Sequence, residues 1–160
     1  MKNVKVKINL VGKNPIPKYS HEGDACFDLQ ADFTNGYNSE IGEGHAWDDI
    51  RKVLILFSGG RVVIPTGIKT QFPEEYMLKI QDRSGLAAKS GIHTMAGVVD
   101  SNYSAEIGVV LYNTSSDFFE IKQGDRIAQA CLVPTPKVEF VEEKFTDTER
   151  GTNGFGSTGI

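Results

Sequence analysis

Four groups of residues in this sequence have types and spacing that could do chemistry. The first is Gly97-Val98-Val99-Asp100-Ser101-Asn102-Tyr103. A short apolar run leads into a carboxylate, a turn-forming Ser-Asn follows, and an aromatic comes next. An acid beside an aromatic at a turn suits a site that holds a planar ring and activates a water. It also suits an ordinary turn whose Asp caps its own backbone. The second is Asp82-Arg83-Ser84-Gly85-Leu86-Ala87. Here Ser84 reads as the N-cap of a short helix that stops at Gly91. Such a start offers backbone N–H groups, a hydroxyl and a guanidinium to an anion; a capped surface helix with a solvated Arg has the same sequence. Ala88 stands where a Walker loop requires Gly, so the stretch is not a P-loop. The third is Asp28, set between apolar neighbours, which needs a partner or an ion unless it faces solvent. Gln129 opens a mostly apolar strand and needs a partner in the same way. The fourth is the Gly-rich end, with Arg150, Phe155, Gly156, Ser157 and Thr158. Its composition cannot pack a core. It suits either an arm that orders over a phosphorylated ring compound or a frayed terminus.

The elements that must position these groups read as strands. Val4, Val6, Ile8 and Leu10 alternate with polar residues, as in a half-buried strand. Arg61 to Lys69 reads as strand, turn and strand. Tyr76, Leu78 and Ile80 alternate up to Asp82. Asp100 and Tyr103 fall near the tip of an expected β-hairpin, after which Ile107, Val109 and Leu111 resume the alternation. Phe119 to Gln129 holds two strands around a Gly124-Asp125 turn, and Val138, Phe140 and Val141 are the last core-like residues. From Gly36 to Gly60 the pattern has no assignment, and Ala46 to Phe57 fits a short helix or a strand. A period of 2 nearly throughout favours an all-β sandwich or distorted barrel with one short helix.

The totals exclude several classes. The chain has 160 residues, which suits one domain with a sizeable core, and its net charge of −4 gives no overall basic surface for nucleic acid. No apolar run reaches membrane-spanning length, and the first residues lack the apolar core of a signal peptide. Cys26 and Cys131 form no metal or disulfide spacing, which points to a reducing compartment, the cytoplasm, or the host cytoplasm or nucleus for a viral protein. Without a signal peptide, the sequons at Asn102 and Asn113 are read as chance.

Taken together, the motifs resemble the trimeric dUTPase family (deoxyuridine 5'-triphosphate nucleotidohydrolases), whose five motifs appear in order. They are Ala25-Cys26-Phe27-Asp28-Leu29, Arg83-Ser84-Gly85-Leu86-Ala87, Gly97 to Tyr103, Gly124-Asp125-Arg126-Ile127-Ala128-Gln129, and Arg150-Gly151 through Phe155-Gly156-Ser157-Thr158-Gly159. The resemblance implies a jelly-roll-like β domain over residues 1–149, a closing arm over 150–160, and a homotrimer with active sites shared between subunits. It implies dUTP as substrate and dUMP and pyrophosphate as products. Asp100 would be the base that activates a water for attack on the α-phosphorus. Backbone groups around Gly97, Val98 and Val99 would pair with uracil, and Tyr103 would pack on the deoxyribose. Arg83, Ser84, Gly85 and Gln129 would hold the phosphates. Mg²⁺ would bind through the triphosphate, with Asp28 reached through a water. Phe155 would stack over the base, while Arg150, Gly156, Ser157 and Thr158 would close the site.

Several positions depart from the family pattern. Asp82 replaces the usual Pro and would repel phosphate unless it turns away or helps bind the ion. Thr94 stands where many members carry Asn, Ser104-Ala105 replaces Arg-Gly, Cys26 replaces Gly, and the 36–60 segment is long. Two alternatives follow. A dCTP deaminase uses the same fold, but its essential Glu is replaced here by Val110, which cannot shuttle protons. A regulatory or binding protein on this scaffold would explain the long segment, but would be expected to shed site residues that are all present here. A His/Cys zinc deaminase is disfavoured by the missing His-x-Glu and Cys-x-x-Cys.

Overall fold

In a computed structural model, which describes residues 3–144 and Thr146, the chain folds into three antiparallel sheets and one helix. The strands are β1 Lys7–Leu10, β2 Phe27–Gln30, β3 Gly42–Asp48, β4 Val53–Pro65, β5 Ile68–Gln71, β6 Tyr76–Gln81, β7 Ile92–Met95, β8 Val98–Val99, β9 Gly108–Asn113, β10 Phe119–Lys122 and β11 Arg126–Pro134; the helix α1 is Ser84–Ser90. The four-stranded sheet runs β2-β11-β6-β8. The five-stranded sheet runs β10-β4-β9-β7, with β3 also on β4, and β1 pairs with β5. The all-β expectation with one short helix is therefore met.

Alternation sends one side of each strand into a shared core. Leu29, Leu78, Ile80, Ala128 and Ala130 come from the four-stranded sheet, and Leu54, Leu56, Val62, Ile64, Val109, Leu111 and Ile121 from the five-stranded one. Each fully buried Leu or Ile contributes roughly 1.5–3 kcal/mol against exposure. The opposite side of the four-stranded sheet carries Asp28, Gln129 and Gln81 across one row, because Asp28 pairs with Gln129 and Gln129 with Gln81. Directly opposed residues share a face, so the pairing gathers three polar side chains from distant parts of the chain.

The unassigned 36–60 segment is a long strand pair rather than a helix. β3 lies along β4, and the register slips where Phe57 to Gly60 bulge out between Glu43 and His45. The bulge needs glycine, since a Cβ on Gly60 would meet the Gly44 carbonyl oxygen. Trp47 and Tyr37 fold this pair onto Phe33, with the Phe33 and Trp47 ring centroids 5.2 Å apart.

Four local expectations are corrected. The first strand begins at Lys7, not Val4. Helix α1 is capped at Arg83 without a side-chain bond, so Ser84 is its first helical residue, while Gly91 ends it in the left-handed conformation as expected. Asp100 and Tyr103 do not sit on a hairpin. β8 pairs with β6 in one sheet and β9 joins β4 and β7 in the other, so the Asp100 turn passes between sheets. Finally, Val138, Phe140 and Val141 are 69%, 93% and 71% exposed, because the chain leaves the domain after Pro134 in an extended run with no strand partner among the described residues.

Candidate active site

The polar row on the four-stranded sheet builds the first half of the site. Asp28 on β2 lies between two guanidiniums. Arg83 donates from Nε to its Oδ1 at 2.8 Å, and Arg126 donates from Nη1 to its Oδ2 at 3.3 Å. A carboxylate held by two arginines leaves net positive charge, so this cluster favours a polyanion. Arg83 also donates from Nη1 to the Arg126 carbonyl at 3.2 Å, which fixes its plane. Its remaining nitrogen, Nη2, has no partner among the described residues. Ser84 and Gly85 follow at the exposed start of α1. Gln129 is half-buried and donates from Nε2 to the Asp82 carbonyl at 2.7 Å, so the expected partner is backbone.

Asp82 turns away from this cluster. Its Oδ1 accepts from the Thr94 backbone N–H and hydroxyl, and its Oδ2 lies 2.7 Å from His93 Nδ1. Partial burial pushes the Asp82 carboxyl up, but the bonds from Thr94 and His93 outweigh it and leave it below the ordinary carboxylate value. The acid that could have repelled phosphate is thus spent as a brace between the Arg83 loop and β7. Both Arg126 and this brace were missing from the expected site residues. Arg126 lay inside a recognised motif, whereas nothing in sequence spacing joins Asp82 to His93 and Thr94.

The second half forms around β8. Gly97 has φ +103, and a Cβ there would lie 2.6 Å from the Ile80 carbonyl oxygen, so only Gly fits. That close approach seats β8 on β6. β8 is the end of its sheet, and it borders a cavity of about 220 Å³ lined by Met95, Gly97, Val99, Asp100, Tyr103 and Val110. Fixed backbone donors and acceptors on an apolar cavity suit recognition of one planar heterocycle by its edge. Tyr103 forms part of the wall and donates its hydroxyl to the Glu106 carbonyl at 3.1 Å. Asp100 is exposed at the mouth.

Within one chain the two halves do not meet. Val99 lies across from Leu78, so Asp100 falls beside Met77, while Arg83 lies six residues further along β6 and its continuation. At about 3.3 Å per residue the separation is on the order of 20 Å. Arg150, Phe155, Gly156, Ser157 and Thr158 lie outside the described residues. Among the described residues no group of three or more His, Cys, Asp or Glu side chains could hold a metal ion, and no helix is long and apolar enough to cross a membrane. A lone carboxylate beside arginines fits an ion that arrives already bound to a polyphosphate, which Mg²⁺ does by keeping its waters and using phosphate oxygens.

Comparison with known proteins gives a consistent set of matches. The family model described as dUTPase matches residues 49–159. A deoxyuridine 5'-triphosphate nucleotidohydrolase of Fusobacterium nucleatum is 37% identical over 162 residues, covering 99% of each chain. The enzyme of the same name from Paramecium bursaria Chlorella virus 1 is 47% identical over 122 residues, covering 74% of this chain and 86% of its own. Among solved structures, a mutant dUTPase of Staphylococcus bacteriophage 80alpha with dUpNHpp superposes with a TM-score of 0.74 at 23% identity, over 98% of this chain and 99% of its own, a likeness of fold.

Proposed function

The chain belongs to the dUTPase family, and from that premise we propose that it hydrolyses dUTP to dUMP and pyrophosphate in sites shared between the subunits of a homotrimer. The observation that carries the shared site is the gap of roughly 20 Å along β6 between Asp100 and Arg83. A base that far from the phosphate grip of its own chain works only on a substrate gripped by another. The exposed Val138, Phe140 and Val141 support the same reading, since an extended apolar run without a partner suits packing on a neighbouring subunit.

In this reading the cavity beside β8 takes the uracil. Backbone groups along Gly97, Val98 and Val99 that are not used on β6 pair with its edge, while the Gly97 carbonyl accepts from the Ile80 N–H and anchors the strand. Cytosine presents the opposite pattern at its 4-position, so it would leave those groups unpaired in a desolvated cavity and be rejected. Tyr103 stands against the deoxyribose and leaves no room for a 2'-hydroxyl. Its bond to the Glu106 carbonyl holds the ring in place.

Arg83, through Nη2, grips the triphosphate together with Ser84, Gly85 and Gln129. Arg126 adds a second positive charge. Asp28 would hold a hydrated Mg²⁺ ion through one of its waters, and the ion would supply charge neutralisation to the phosphates. Asp100 then accepts a proton from a water positioned in line with the bond to be broken. That water's oxygen attacks the α-phosphorus as the bond to the bridging oxygen breaks. The C-terminal arm, residues 150–160, would close over the bound nucleotide, Phe155 on the base and Arg150, Gly156, Ser157 and Thr158 on the phosphates, excluding water.

The test is pyrophosphate release from dUTP, dCTP, dTTP and UTP with Mg²⁺, on the full chain and on a truncation ending at Glu149. Release from dUTP alone, lost on truncation, supports the activity and the arm together. Ammonia release from dCTP would move the chain to deamination. Binding of dUTP without turnover would favour a regulatory protein on the same scaffold.

A further inference from the structure

Cys26 and Cys131 take no part in the reaction above, and no sequence spacing connects them. The fold brings them face to face. Strands β2 and β11 pair Phe27 with Ala130 and Asp28 with Gln129, so the same register continued by one residue sets Cys26 directly opposite Cys131. Opposed residues of an antiparallel pair have Cα atoms about 4.5–5.5 Å apart, inside the 4.4–6.8 Å range that a disulfide spans. The side chains agree with the backbone. The Gln81 amide Nε2 lies 3.3 Å from Cys26 Sγ and 3.7 Å from Cys131 Sγ, so one donor serves both sulfurs and both point to the same face. That face is the outer, polar one, and both cysteines are half-buried free thiols there. No third His, Cys, Asp or Glu side chain joins them among the described residues.

We propose that Cys26 and Cys131 are a redox modification site that closes reversibly to an intrachain cross-strand disulfide by exchange with a small disulfide such as oxidised glutathione. The thiolate of Cys26, the sulfur nearer the Gln81 donor, attacks one sulfur of the small disulfide. Its S–S bond breaks, the first thiolate leaves and takes up a proton, and Cys26 carries a mixed disulfide. Cys131 loses its proton as its sulfur attacks Cys26 Sγ, expelling the second small thiol. Two protein thiols are oxidised and one small disulfide is reduced to two thiols. Burial, and Cys26 itself, push the Cys131 thiol up, which makes Cys131 the second rather than the first to react. The link sits one row along the sheet from Asp28 and Gln129, and ties the strands that carry them.

The experiment equilibrates the intact oligomer in glutathione buffers of increasing oxidation, traps free thiols with an alkylating agent, and reads intact and peptide masses. The expected product loses both free thiols together, has the mass of the chain less two hydrogens, and yields one peptide pair joined through Cys26 and Cys131. Dithiothreitol restores both thiols. The thermal midpoint rises by several degrees in the oxidised form, as closing a long loop predicts. Cys26→Ser and Cys131→Ser each keep their fold but show no rise in midpoint under oxidation. Independent glutathione adducts on both cysteines, chains linked to one another, or two free thiols in fully oxidised buffer would each overturn the proposal.

Discussion

Arg83 donates from Nε to Oδ1 of Asp28 at 2.8 Å, across the rim of the four-stranded sheet. The pair is partly buried, and Arg126 closes on the other carboxylate oxygen. Asp28 aims Arg83, and in the proposed mechanism it has a second duty, to present an oxygen toward a hydrated ion. Asp28→Asn keeps the shape but removes the charge. We expect kcat/KM for dUTP to fall about 10–100-fold, as loss of an outer-shell carboxylate does, with half-maximal activity moved to higher Mg²⁺. Titration of Mg²⁺ at fixed dUTP checks this; an unchanged Mg²⁺ midpoint would leave Asp28 with the aiming duty alone.

Asp100→Asn should bind dUTP nearly as the parent does and lose turnover by about 10²–10⁴-fold, the range a positioned base supplies. Calorimetry with dUTP and pyrophosphate release on the same samples separate the two effects. Near-normal turnover would remove Asp100 from the role of base.

The distance between Asp100 and Arg83 gives a sharper test. Asp100→Asn and Arg83→Ala should each be inactive alone. When the two are unfolded together and reassembled in equal amounts, about one site in four should regain both groups, as random assembly of a symmetric ring dictates. No recovery, with trimers confirmed by sedimentation, would place both residues in one chain's site.

Asp32 is buried and accepts backbone N–H bonds from Lys13, Asn14 and Thr34. Burial raises its carboxyl, but these bonds outweigh it and leave the pKa below the ordinary value, as for Asp82. A depressed folded-state pKa means a stabilisation that is complete above the unfolded value and lost as pH falls through the folded one. We therefore expect stability to be independent of these two groups above about pH 5 and to drop below about pH 4. Asp32→Ala should cost on the order of 3 kcal/mol at neutral pH, because it strands buried donors. Urea unfolding of parent and variant from pH 3 to pH 7 measures both. A gap that fails to narrow toward the acid end would contradict the linkage.

Gly97→Ala should leave a folded protein with weakened dUTP binding. An added Cβ would press on the Ile80 carbonyl and unseat β8 from β6, where its backbone groups must be held still. A rise in KM larger than the fall in kcat is the expected signature in steady-state kinetics.

Particular residues show how far the sequence reaches. Alternation at Tyr76, Leu78 and Ile80 marked β6 correctly, since period 2 with one buried face leaves little choice. The same alternation around Val99 and Val109 suggested a hairpin that does not exist, because periodicity says which face is buried and not which strand is the partner. Val138 and Phe140 looked like core for a related reason: apolar character suggests burial but does not name a partner, and in this fold both are exposed. The 36–60 segment defeated periodicity because its bulge at Phe57 to Gly60 shifts the alternation midway.

By itself, then, the sequence determined the β class, the single helix and the five motifs that mark the family, because these rest on local residue type and short spacing. Only the tertiary structure decided that Arg83 and Arg126 share Asp28, that Asp82 is spent on His93 and Thr94, that Cys26 faces Cys131, and that Asp100 stands far from Arg83 in its own chain. Each of these relates positions on different elements, at or just beyond strand ends. Pairing register fixes it, and register is set by the packing of whole sheets rather than by any one segment.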